Sequence, residues 1–201
     1  MPDKGYDSQR FGWYDVVERV LREDEKFHRY AWHDRKAWWQ QEQGILAYLI
    51  LQGHMPEKKE YKKYSDESAA YYNAFFLDNN DGGVYFNVLA NGVPFLMGTE
   101  RYKGSHSMSA YHSTELCFLS TVYIDLMIKK RPLDLYFKPL PNGFKDRTLR
   151  VEPDILPKGS IKIIGCEIDG EKHENFDPEN LTVQLPESDS RLKVKVTVAT
   201  N

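Results

Sequence analysis

Apolar positions in the first two-thirds of the chain recur at helical spacing. Trp13, Val16, Val17, Val20 and Leu21 follow one another by three and four, which predicts a helix from Phe11 to about Lys26. A second helix is expected from Lys36 to about Gln52, with Asp34 as its N-cap, Gly53 at its end and Pro56 just beyond. Asp66 can cap a third, Glu67 to Leu77, with Ala70, Tyr71, Ala74 and Phe75 on one face. A fourth is expected from Ser107 or Ser109 to about Lys130. Its apolar run of Leu116, Cys117, Phe118, Leu119, Val122, Tyr123, Ile124, Leu126, Met127 and Ile128 covers nearly every side, the pattern of a helix buried all round.

Between the third and fourth helices the period changes to two. Val84 to Leu89 alternates, Ala90-Asn91-Gly92 is a hairpin turn, and Val93 to Met97 returns. After Pro132 alternation takes over, with strands expected at Asp134–Lys138, Thr148–Val151, Ser160–Glu167, Leu181–Leu185 and Leu192–Ala199. Asp169-Gly170 marks another hairpin, and Pro153, Pro157, Pro178 and Pro186 punctuate the connections. The chain therefore reads as α+β: a helical region over 1–131 with a β-hairpin insertion, then a small antiparallel, sandwich-like β unit over 132–201.

Composition narrows the function classes. The formal charge of −3 on 201 residues gives no basic field for nucleic acid, and the lysines at 58, 59, 62 and 63 are interleaved with acids in a solvated loop. No run is long and apolar enough for a membrane span, and no signal peptide is expected, since the first twenty residues carry Asp, Lys, Arg and Glu without an apolar block. Cys117 and Cys166 have neither metal nor redox spacing and are expected as buried, reduced thiols in a cytoplasmic protein. There is no metal-ligand pattern, no phosphate-binding glycine loop and no nucleophilic serine motif, so neither metal nor cofactor is expected.

Chemistry concentrates in two places. The first is Lys36-Ala37-Trp38-Trp39-Gln40-Gln41-Glu42-Gln43, where two indoles run into amides and a carboxylate at the start of a helix that is aliphatic further on. Aromatic faces pack on the C–H faces of a sugar, and amides bond its hydroxyls. The alternative is a core tryptophan pair with Gln and Glu tying down loops. The second is Tyr111-His112-Ser113-Thr114-Glu115, with His106 shortly before it. His112 in a first helical turn meets the positive end of the macrodipole, which favours neutral imidazole, and Glu115 one turn on can orient the ring. The loop Trp32-His33-Asp34-Arg35 adds His33 as a third group able to reach the same concavity.

The stretches KAWWQQEQGILAYLI and SAYHSTELCFLSTVY together resemble the C-terminal half of the N-acylglucosamine 2-epimerase superfamily, which includes cellobiose 2-epimerases and mannose isomerases. The Asp78 to Met97 unit is similar to rim connections of that fold, and the resemblance covers roughly residues 30–130. It implies part of an (α/α)6 toroid whose inner helices line a sugar pocket. It also implies that His112 occupies the place of the late catalytic histidine. The polar residue and the Glu that usually follow the double Trp fall on Gln41 and Gln43, with Glu42 displaced between them, and a place often held by arginine falls on Glu115.

The resulting expectation is an epimerase or isomerase acting by proton transfer at the carbon next to an aldose carbonyl. His112, Glu115 and Glu42 would be the acid–base set, and Trp38, Trp39, Gln41, Tyr111, His106 and His33 the sugar contacts. Two rivals stand beside it: a carbohydrate-binding or scaffolding remnant without turnover, and a glycoside hydrolase using Glu42 and Glu115. A toroid has twelve helices and this chain shows four, so a small sugar and either a second copy or the remainder of a larger toroid are the expected partners.

Overall fold

The computed structural model describes residues 2–98, 103, 108–151 and 156–201, with the backbone alone at Pro2 and Asp3. The fold is mixed helix and antiparallel sheet, divided into two compact units, Met1–Thr121 and Val122–Asn201. The division falls ten residues before the expected boundary at 131/132, because Val122 and Leu126 belong to the core of the second unit.

In the first unit, α1 is a single turn, Pro2–Gly5. The helix expected over 11–26 does not form. Residues 6–35 instead make an irregular hairpin with bridges Tyr6 to Trp13 and Val17 to Tyr30. Its backbone bonds run from Asp15 N to Arg35 O (2.9 Å), Glu18 N to Arg29 O (2.8 Å) and Ala31 N to Val16 O (3.0 Å). Asp7 Oδ1 turns the chain by accepting the N–H groups of Gln9 and Arg10, and Phe11 and Gly12 carry φ of 68° and 76°. Val20 and Leu21, placed on a buried helical face by their spacing, are exposed. Trp13 is the anchor. Its indole donates to Ser68 Oγ (3.1 Å), stacks on Tyr48 at 5.6 Å, and fills the space beside Gly44, where a Cβ would fall 2.3 Å from its Nε1.

The hairpin leads into β1 (Ala31–Ala37), which passes directly into α2 (Trp38–His54). Asp34 is therefore in a strand and not at the helix N-cap. That position belongs to Ala37, which caps without a side-chain bond, since pairing of β1 with β2 (Asn87–Leu89) takes precedence. The register is Arg35 to Leu89, Lys36 to Val88 and Ala37 to Asn87. A short turn joins α2 to α3, Lys59–Phe75, which begins well before Asp66 and carries that residue in an i,i+4 ion pair with Lys62. Tyr71, Tyr72 and Phe76 from α3 and its end meet Trp38, Ile45, Leu46 and Leu49 of α2 in the core of this unit.

The Asn91-Gly92 turn forms as expected. Gly92 has φ of 85°, and a Cβ there would fall 2.2 Å from the Phe75 ring, so both backbone and space demand glycine. The return segment pairs only as a bridge, Val88 to Pro94, because proline has no N–H to extend a ladder. Helix α4 spans Ala110–Val122. It is not buried all round: Tyr111, Cys117 and Phe118 are exposed, and within α4 only Val122 is fully buried.

The second unit opens with a π-helical segment, Tyr123–Ile128. The strands are β3 (Leu133–Phe137), β4 (Thr148–Arg150), β5 (Ile161–Ile168), β6 (Glu171–Lys172), β7 (Phe176–Asp177), β8 (Thr182–Gln184) and β9 (Val194–Thr200). They form two antiparallel sheets, ordered β3-β9-β5-β6 and β4-β8-β7. Alternate residues of both sheets share one core, including Leu149, Ile161, Ile163, Val183, Val194, Val196 and Val198. The turn between β5 and β6 is Asp169-Gly170, both at positive φ, the primed geometry that matches strand twist.

Candidate functional site

An open cleft of about 450 Å³ lies in the first unit, lined by Asp15, Trp32, Arg35, Ala37, Trp38, Trp39, Phe86, Asn87 and His112. Sequence order does not group these residues; strand pairing does. In β1, alternation turns Arg35 and Ala37 to the cleft and Lys36 to the opposite side. There the Lys36 ammonium is fully buried, 2.9 Å from Asp7 Oδ2 and 4.0 Å from the centre of the Tyr71 ring, and it donates to Phe11 O at 2.5 Å. Burial works against the Asp7 carboxylate, but Lys36 and the N–H groups of Arg10 and Gln9 hold it below its ordinary range.

One wall of the cleft is a rigid cation. Arg35 pairs with Asp15 (2.7 Å from Nε, 2.6 Å from a terminal nitrogen) and its guanidinium lies 4.7 Å from the Trp32 ring and 5.5 Å from that of Phe95. Gln40 Nε2 donates to Asp15 O at 2.6 Å, tying this hairpin corner to α2.

The other wall is indole and imidazole. Trp38 is 3% exposed and packs on Phe86 at 4.4 Å; its Nε1 is buried without a hydrogen-bond partner among the described residues. Trp39 is 39% exposed. His112 lies between them, its ring 6.1 Å from Trp38 and 6.2 Å from Trp39. Behind the ring, Gln43 Nε2 is 3.3 Å from His112 Nδ1 and donates to Glu115 Oε2 at 2.7 Å. Glu115 Oε2 itself is 3.7 Å from Nδ1, beyond hydrogen-bond reach, so Gln43 bridges the imidazole and the carboxylate from one side.

The remaining expected site residues lie elsewhere. Gln41 is fully buried and clamps the backbone of Trp13: Trp13 N–H donates to Oε1, and Nε2 donates to Trp13 O, both at 2.7 Å, with Ala37 O at 3.1 Å. Glu42 is also fully buried, away from the cleft, where its Oε1 accepts from Tyr72 (2.5 Å) and Ser113 (2.7 Å). Burial, and secondarily that bond to Glu42, push the Tyr72 phenol far above its ordinary range. Tyr111 is exposed beside His112, its ring 5.0 Å away and its hydroxyl 3.4 Å from Glu115 Oε1. His33 is exposed in β1 with φ of 57° and does not line the cleft. His106 falls outside the described residues. Thus His112, Trp38 and Trp39 come together, Glu115 stands behind them, and Asp15, Arg35, Phe86 and Asn87, to which the sequence assigned no role, join them.

Among the described residues no group of His, Cys, Asp and Glu could hold a metal ion, and no helix is long and apolar enough to cross a membrane.

No family model matches the chain, and no curated protein does. Solved structures similar to part of it include cellobiose 2-epimerase from Spirochaeta thermophila DSM 6192 (19% identity, 45% of this chain and 22% of that one, TM-score 0.41). Cellobiose 2-epimerase from Bacillus thermoamylovorans B4167 is similar at 20% identity over 47% of this chain and 22% of that one, TM-score 0.39. A sugar epimerase from a ruminal bacterium is similar at 15% identity over 52% and 25%, TM-score 0.41. The matched part of this chain spans a quarter or less of the length of these structures.

Proposed function

We propose that the first unit binds a sugar in this cleft and acts as an epimerase- or isomerase-like domain, with His112 transferring protons at the carbon next to an aldose carbonyl. The observation that carries the reading is the placing of His112 between Trp38 and Trp39, facing the Arg35–Asp15 pair across one cleft. The half-exposed Trp39 face suits the C–H side of a pyranose, while the Arg35 guanidinium and the His112 ring, which line the same cleft, suit its oxygens. A base beside the bound aldose takes the C2 proton. Returning it to C1 on the same face, while the O2 hydroxyl proton passes to O1, gives the ketose, and returning it to C2 from the opposite face gives the epimer. Isomerisation needs one such group and epimerisation normally two, so with Glu42 sealed away the cleft suits isomerisation better.

Burial of Glu42 also argues against the hydrolase reading, because a glycosidase needs both carboxylates at the sugar. The second reading is sugar binding without turnover, favoured by the amide of Gln43 at the position where a carboxylate would support the histidine. Incubating a panel of aldoses with the protein in D2O and following C2–H by proton NMR separates the two. Exchange that His112→Ala abolishes supports proton transfer. Saturable binding weakened by Trp39→Ala, without exchange, supports the binder. Neither exchange nor binding by any aldose contradicts both.

A further inference from the structure

From the geometry around Gln43 we infer that this residue sets the tautomer of His112, and that the resting site offers the sugar an N–H and not a lone pair. The inference rests on the reading of His112 as the proton-transfer group. An ionised carboxylate only accepts, so Glu115 Oε2, at 2.7 Å, fixes which end of the Gln43 amide faces it: the NH2 group. The reversed amide would set two acceptors against each other. Once the NH2 group is fixed, its second hydrogen is the one available to His112 Nδ1, 3.3 Å away. Nδ1 then accepts, and the ring proton of the neutral imidazole resides on Nε2. Nε2 has no hydrogen-bond partner among the described residues, and the ring edge opposite Gln43 is the one left to the cleft.

The consequence concerns the order of events at the site. A sugar carbonyl oxygen entering the cleft meets a donor that polarises it. For Nε2 to accept a proton from carbon, the imidazole must first carry its proton on Nδ1, which breaks the bond from Gln43 and faces its NH2 group with a second donor. Gln43 is thus a positioning residue acting through His112, and it favours bound sugar over turnover. Glu115 is the residue that pins Gln43.

The test is the nitrogen-15 spectrum of the His112 ring in the whole 201-residue chain, recorded on the neutral imidazole. The wild type is expected to show a pyridine-type Nδ1 and a protonated Nε2. Gln43→Leu removes the donor and leaves the Glu115 carboxylate as the nearest polar group to Nδ1; Glu115→Gln frees the Gln43 amide to turn. Both are expected to raise the Nδ1–H population severalfold, while Tyr111→Phe, which keeps the ring beside His112 and removes only the hydroxyl on the far oxygen of Glu115, leaves it unchanged. In Gln43→Leu, C2–H exchange per protein is expected to rise by up to about tenfold, the equivalent of one hydrogen bond. A wild-type ring with its proton on Nδ1, or ring nitrogens unmoved in both variants, would overturn the inference and leave the proposed function in place. The expected spectra with no C2–H exchange in any variant would remove the proton-transfer function and leave the role of Gln43 standing.

Discussion

Replacing Gln41 by leucine separates a structural clamp from a sugar contact. The side chain makes three hydrogen bonds, two of them to the N–H and C=O of Trp13 at 2.7 Å, and is inaccessible to solvent. Leucine has similar bulk and no polar atoms, so Trp13 N–H and C=O lose their partners. Leaving a buried donor or acceptor unmade costs about 1–3 kcal/mol each. Ala37 O is spared, since as the carbonyl of the helix N-cap it keeps its bond from the first turn. Trp13 is only partly buried and water can reach some of what is lost, so the expected destabilisation is about 2–4 kcal/mol. All four tryptophans, at 13, 32, 38 and 39, lie in the first unit, so tryptophan fluorescence during urea unfolding reports that unit alone. The midpoint should fall with an unchanged slope. A loss of less than about 0.5 kcal/mol would refute the clamp, since an ordinary surface substitution does as little. Sugar binding lost without any loss of stability would restore Gln41 as a contact.

Three further outcomes follow from the same packing. Trp39→Ala should leave stability nearly unchanged and weaken sugar binding about fivefold, for about 1 kcal/mol of ring contact, by calorimetric titration. Lys36→Met strands the Asp7 carboxylate in the core and should destabilise the first unit by about 3–5 kcal/mol in urea, with Asp7→Asn in the same chain recovering part of the loss. Tyr71 and Tyr72, together with Tyr6 and Tyr14, contribute to the alkaline limit. Burial foremost pushes the phenols of Tyr71 and Tyr72 far above the ordinary tyrosine range, so they stay protonated in the folded state and ionise on unfolding. Their contribution is complete below about pH 10 and lost as pH rises beyond it, at about 2 kcal/mol each by pH ~11.5. Phenolate absorbance from these two should appear only with unfolding; its appearance in the folded protein would contradict the burial argument.

The β unit was legible almost strand by strand, because alternation and turn chemistry are local: Val194, Val196 and Val198 declare one face, and Asp169-Gly170 declares the turn. The segment from Phe11 to Lys26 was not. Val16, Val17, Val20 and Leu21 fall at helical spacing by coincidence, while Trp13, held by Gln41, Ser68 and Tyr48, decides its path through partners remote in sequence. Asp34 failed as a cap for the same reason, since pairing of Arg35, Lys36 and Ala37 with β2 keeps the chain extended until Trp38. At the site, His112, Trp38 and Trp39 were found because those residue types are rare and chemically loud. Asp15, Arg35 and Asn87 were missed because their facing depends on that strand pairing and hairpin. Gln43 was noticed only as a departure from a pattern; its contact with His112 needed the placement of α4 beside α2.

The most direct test of the central claim is an NMR titration of the full chain with an aldose, following the indole N–H signals of Trp38 and Trp39 and the ring protons of His112. One shared cleft predicts that all three move together along a single saturation curve, and that Trp39→Ala shifts the curve for the other two. Signals that stay still with every aldose, or an indole and an imidazole that saturate independently, would contradict the account.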